Sequence, residues 1–201
     1  MFNIDKPSIF LYVIIAFVIF MGLKIYSESD AFNLKCIISD VDGERYCVRE
    51  RATMQIAADL LATVTKKLKE LVMYCATKFP DDEKVQRMVQ KFNPTKISET
   101  LPTSEFTAYS ENKGEKIAFC LNKRKTESKL IDINTLTFVA IHELAHVMTT
   151  SEGHLQEFWT NFKFLLEQAK EANIYQPVDY KQNPEPYCGM DITDNPYFDF
   201  K

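Results

Sequence analysis

Residues 142–159 read HELAHVMTTSEGHLQEFW, and the spacing of the three histidines in this stretch decides how the rest of the chain is interpreted. His142 and His146 are four positions apart, which on an α-helix puts both imidazoles on one face, about a turn from each other. Two ring nitrogens so placed can bind one zinc ion at ~2.0–2.1 Å. Glu143 lies about 100° further round the helix, beside such a metal rather than on it. From there a carboxylate can take a proton from a metal-activated water. Asp132-Ile133-Asn134 offers helix N-caps ahead of TLTFVAI, so the motif belongs to a mostly buried helix.

That helix runs out at Thr149-Thr150-Ser151, and Gly153 permits a sharp turn. His154 follows, at the start of a second amphipathic helix striped by Leu155, Phe158, Trp159, Phe162, Leu165, Leu166 and Ala169. Folding the second helix back on the first brings His154 towards the other two histidines. Three protein ligands leave a fourth position for water, the layout of a catalytic zinc site. The chain has only 3 histidines, all between 142 and 154, where surface or core histidines would have no reason to gather. A bare H-E-x-x-H also arises by chance. The apolar helix, the third histidine and the amphipathic helix behind it are what give this one weight.

The quoted stretch resembles the zincin superfamily of metallopeptidases, and within it the WLM and SprT-like branch, over roughly residues 132–166. The resemblance implies that His142, His146 and His154 hold Zn2+ and that Glu143 is the general base for peptide-bond hydrolysis. It also implies an α+β, zincin-like domain, with a small, mostly antiparallel sheet packed on helices. A metzincin pattern is excluded by Thr149 and Glu152 at its fixed positions. A gluzincin-type carboxylate ligand, Glu167 or Glu171, is the less favoured third ligand. Peptide or protein substrates in such sites often lie along an exposed sheet edge, for which Glu105–Ser110 and Lys116–Leu121 are the candidates. The competing reading is a membrane-anchored structural or adaptor protein that keeps an inactive zinc site.

Residues 9–26 supply the anchor. IFLYVIIAFVIFMGL is free of charge, and Lys24-Ile25-Tyr26 extends it to 18 residues. About 17–25 residues are needed to cross a bilayer, with Lys24 and Tyr26 at the interface. A cleavable signal would carry a basic start and a small-residue cleavage site, and a core helix would be less uniform. Lys6 on one flank balances Lys24 and Lys35 on the other, so orientation is undetermined. The division is therefore 1–29 as tail and transmembrane anchor and 30–201 as peptidase domain, in contact with the lipid bilayer through residues 9–26. The net charge of −4, with scattered cations, gives no footprint for nucleic acid.

Leu34 to Val48 reads as a hairpin around Asp40-Val41-Asp42-Gly43, a register that sets Cys36 opposite Cys47. Residues 50–79 read as a helix stopped by Pro80, followed by a shorter one from Asp81-Asp82 to about Phe92. Met54, Met73 and Met88 are assigned to core packing. Residues 94–105 read as loop, Glu105–Ser110 and Lys116–Leu121 as a hairpin, and 122–129 as a solvated charge run. The Pro- and aromatic-rich tail from Asn173 is expected to wrap the domain as extended chain. Two minor possibilities attach to it: a tail tyrosine stabilising the oxyanion, and Cys188 as a thiolate on the zinc. The five cysteines form no C-x-x-C pair.

Overall fold

The computed structural model describes residues 9–28, 34–124 and 129–199. Helix α1 (Ile9–Glu28) is apolar on every side up to Leu23, and none of its Ile9–Tyr26 window is buried against the rest of the chain. It is long and apolar enough to cross a membrane.

The remaining elements form an α+β unit. Strands β1 (Leu34–Ile38) and β2 (Arg45–Arg49) precede the long α2 (Met54–Lys78) and the short α3 (Glu83–Lys91). Then come β3 (Ile97–Glu99), β4 (Ala108–Glu111), β5 (Lys116–Phe119), α4 (Ile133–Met148) and α5 (Gln156–Glu171). A small hairpin, β6 (Glu185–Tyr187) and β7 (Met190–Ile192), lies in the tail. Local chemistry explains several boundaries. Pro80 follows α2, and the Asp82 carboxylate accepts from the Lys84 and Val85 amides to start α3. Asn93-Pro94 ends α3 and opens a 3-10 turn, Pro94–Lys96.

The sheet order is β1-β2-β3-β5-β4. β1/β2 and β4/β5 are antiparallel, whereas β3 runs parallel to both neighbours. The sheet is thus mixed rather than mostly antiparallel. The difference comes from β3, which lies in the stretch read as loop: three residues carry no usable alternation, yet Ile97 and Glu99 are buried between β2 and β5. Insertion of β3 also makes β5 internal, which leaves β4 and β1 as the edges.

The core fills the space between the sheet and α2, α4 and α5, with Leu61, Leu68, Phe119, Leu136, Ile141, Phe158 and Phe162 fully buried. Of the three methionines assigned to it, Met88 is buried and Met54 packs at its margin, but Met73 is exposed. Leu155 and Trp159 likewise stand outside the packed stripe of α5 at 60% and 42% exposure. Helix α5 begins at Gln156, so these two residues sit at its open first turn.

Cys36 pairs with Cys47 in the expected register and is disulfide-bonded to it. A second bridge joins Cys120 to Cys188, which corrects the reading of Cys188 as a zinc thiolate. Cys188-Gly189 forms the two-residue turn between β6 and β7, both with positive φ, and the bridge pins that turn to the end of β5. A ring of this size stabilises by on the order of 4 kcal/mol on a chain-entropy model. Cys75 stays free and buried. The tail does wrap the domain, with Tyr175, Tyr180 and Tyr187 buried against it. Part of the charge run, residues 125–128, and the segments 1–8, 29–33 and 200–201 lie outside the described residues.

Candidate metal centre

Helix α4 starts at the Asp132 cap, whose carboxylate accepts from the Asn134 and Thr135 amides. Its apolar residues pack on α2, α3 and α5, which leaves one strip facing a groove. His142 and His146 lie on that strip. The chain then turns through residues 149–155, where Gly153 takes φ +73°, and returns as α5. That reversal brings His154 Nε2 to 3.1 Å from His142 Nε2 and 3.2 Å from His146 Nε2. The three histidines could hold a metal ion. Two nitrogens that each sit ~2.05 Å from one tetrahedral zinc would be separated by roughly 3.3 Å, close to what is seen.

His142 and His146 are in the protonation state a metal needs. Burial, then the neighbouring His146 and His154, holds the His142 imidazole down at about 3. Burial, then His154 and Lys113, holds His146 down at about 4. Both rings are neutral near pH 7 and offer a lone pair. Phe158 forms the floor, its ring centroid 4.8, 4.3 and 4.6 Å from those of His142, His146 and His154.

Glu143 is 5% exposed, and burial alone pushes its carboxyl up to about 8. Among the described residues no hydrogen bond to it is found, so its ionised form requires a positive charge close by. A cation held by the three imidazoles supplies one, and the donor set fits zinc. Glu171 is not part of the cluster; it pairs with Lys78 at 2.5 Å. Glu167 is not part of it either.

The groove of about 810 Å³ in front of the histidines is walled by Leu101, Phe106, Tyr109 and Glu111 on one side and by Glu152 and Gly153 on the other. Edge strand β4 therefore runs along it, whereas internal β5 does not. None of the tail tyrosines lines the groove. Tyr187 lies behind it, its hydroxyl donating to the Thr107 carbonyl at 3.1 Å, which does not suit an oxyanion donor.

The residues that set the turn carrying His154 were not visible in the motif. Lys113 Nζ donates to the carbonyls of Thr149, Thr150 and Ser151 at 3.2, 3.1 and 2.6 Å. Arg87 donates to the Met148 carbonyl at 2.9 Å. The Glu157 carboxylate accepts the Thr150 and Ser151 amides at 2.9 and 3.0 Å. These bonds hold its carboxyl down at about 2. Lys113 itself sits in the left-handed region at φ +55°, between Asn112 and Gly114, both also at positive φ.

The WLM-domain family model matches residues 83–189, the span that holds α3 to β6, all three histidines and both ends of the Cys120–Cys188 bridge. The chain belongs to the WLM-domain family. An uncharacterized protein of Acanthamoeba polyphaga mimivirus is 30% identical over 189 residues, covering 92% of this chain and 93% of its own length. Uncharacterized proteins of two invertebrate iridescent viruses, types 6 and 3, are 35% and 34% identical over 75 and 99 residues. These matches cover 37% and 49% of this chain and 41% and 57% of the viral proteins. No solved structure matches. WLM domains are associated with metallopeptidase-type proteins, which agrees with the donor set found in the groove.

Proposed function

We propose that this WLM-family chain is a membrane-anchored zinc metallopeptidase that hydrolyses peptide bonds, with His142, His146 and His154 as ligands and Glu143 as general base. The observation that carries the proposal is the convergence of the three Nε2 atoms beside a buried carboxylate on the same helix. Bound there, zinc would supply Lewis acidity to polarise a scissile carbonyl and acidify a water. Glu143 takes the proton of the attacking water and returns it to the departing amine, ionised for that role by a cation at the histidines that offsets the burial pushing its carboxyl up. Edge strand β4 offers its unpaired backbone groups to a substrate laid along the groove as an added strand. Phe158 and Phe162 keep the inner side of the histidines dry. Helix α1 fixes the domain at a bilayer. Two disulfides favour an oxidising surrounding for the folded domain.

The test is zinc content and peptide-library cleavage for the full chain in detergent, with Glu143→Gln and His154→Ala alongside. The expected result is one zinc per wild-type chain, retained but inactive in E143Q and weakened in H154A. Full zinc occupancy in a wild type that cleaves nothing would replace the peptidase reading with the inactive anchored one.

A further inference from the structure

A second cleft, of about 780 Å³, lies on the sheet away from the histidine groove. Its walls bring together Arg45 of β2, Lys96 of the 3-10 turn just ahead of β3, Lys116 of β5 and Lys69 of α2. The strand register explains why three of these meet. Cys47 is level with Ser98, and Ser98 with Ala118. Two positions before these are Arg45 and Lys116, on the same face of their strands, and Lys96, the last residue of the turn that leads into β3, and all three line the cleft. Like charges directly across neighbouring strands destabilise a sheet. Lys116 is offset by Glu111 at 3.5 Å, but Arg45, Lys69 and Lys96 pair with no carboxylate among the described residues. At the bottom of the same cleft Ser98 Oγ is buried without a hydrogen-bond partner. Three unpaired cations and an unused hydroxyl, against the single carboxylate of Glu44 in the wall, form a cradle for a phosphate-bearing anion.

The surroundings say where that anion comes from. The cleft is also lined by Leu34 and by the Cys36–Cys47 bridge, and Ile38 and Val41 of the adjoining hairpin are 64% and 50% exposed. An apolar rim beside a cationic cradle matches the boundary between headgroups and acyl chains better than it matches a soluble anion. Leu34 is only six residues beyond Glu28, the end of α1, a reach of at most about 20 Å. We infer that this cleft binds the phosphate headgroup of an anionic membrane lipid, docking the domain against the bilayer that α1 enters. The inference rests on the membrane reading of α1 and is independent of peptidase activity.

The test uses the full chain in nanodiscs of phosphatidylcholine, with and without phosphatidylglycerol, read by hydrogen exchange of the turn amides at 39–44 and at Thr95 and Lys96. Phosphatidylglycerol is expected to slow exchange in both segments. Each of Arg45→Gln, Lys69→Gln and Lys96→Gln should weaken the effect about fivefold, with unchanged melting midpoints. Slowing by inorganic phosphate over pure phosphatidylcholine discs, with none from phosphatidylglycerol, would reassign the cleft to a soluble anion and overturn the lipid inference. Equal exchange under all conditions, or slowing that survives the three substitutions together, would overturn the site itself. A chain that elutes apart from the nanodiscs would overturn the anchor first, and the docking with it.

Discussion

The two ends of α4 are held in different ways. The first turn is capped from within: Asp132 accepts the amides of Asn134 and Thr135, both at 2.9 Å, and the Thr135 hydroxyl at 2.6 Å. The last turn is held from outside, by Arg87 of α3, Lys113 of the β4–β5 loop, and Glu157 and Asn161 of α5. Asn161 reaches Thr149 Oγ1 at 2.9 Å. A local cap secures the existence of the helix, whereas the distant clamp secures where the chain goes next, and so where His154 is placed.

The hardest test of this contrast is Gly114→Ala. Gly114 has φ +112°, and a Cβ there would lie 2.7 Å from the Lys91 carbonyl oxygen and 2.8 Å from Val147 Cγ1. The loop must lift off the end of α4, with an expected loss of about 3 kcal/mol in urea unfolding. A loss under ~1 kcal/mol would mean the loop is not seated there. Lys113→Met comes next. Removal of the three-carbonyl clamp is expected to weaken zinc binding by roughly 10–100-fold in chelator competition, with a smaller loss of stability. Asp132→Ala should do the reverse, costing about 1 kcal/mol of stability while leaving zinc affinity within twofold. If both substitutions shift zinc affinity equally, the two ends are not distinct.

The smallest effect concerns acid. The Glu157 carboxyl is held at about 2 by the Thr150 amide first and then by Ser151. A lowered folded-state value means the carboxylate favours folding. That contribution is complete above the unfolded value near 4.5 and is lost as pH falls from there towards 2. Glu157→Gln should flatten this part of the stability curve, and an unchanged acid limb in melts across that range would refute the clamp by Glu157.

The same contrast explains what could be read without a structure. Asp132, the His142/His146 spacing, Gly153, the Pro80 stop and the Cys36/Cys47 register are all recorded within a few residues of the feature they set. β3 was missed because three residues buried on the strength of their neighbours have no period of their own. Lys113 was missed because a lysine in a hairpin loop looks solvated until the end of α4 is seen beside it. Cys188 was misjudged for a similar reason: its partner is 68 residues away and close only through the tail's path over β5.

That bridge has one more effect. The Cys120–Cys188 ring encloses α4, the turn and α5, so all three histidines and Glu143 lie inside a covalently closed circle of chain. A single cut anywhere within the circle, for instance at the exposed residues 152–155, leaves the two fragments as one molecule until the bridge is reduced. Nicked and intact chains would then run together on a non-reducing gel and separate only with a reductant, so self-cleavage in this region would pass unnoticed under oxidising conditions.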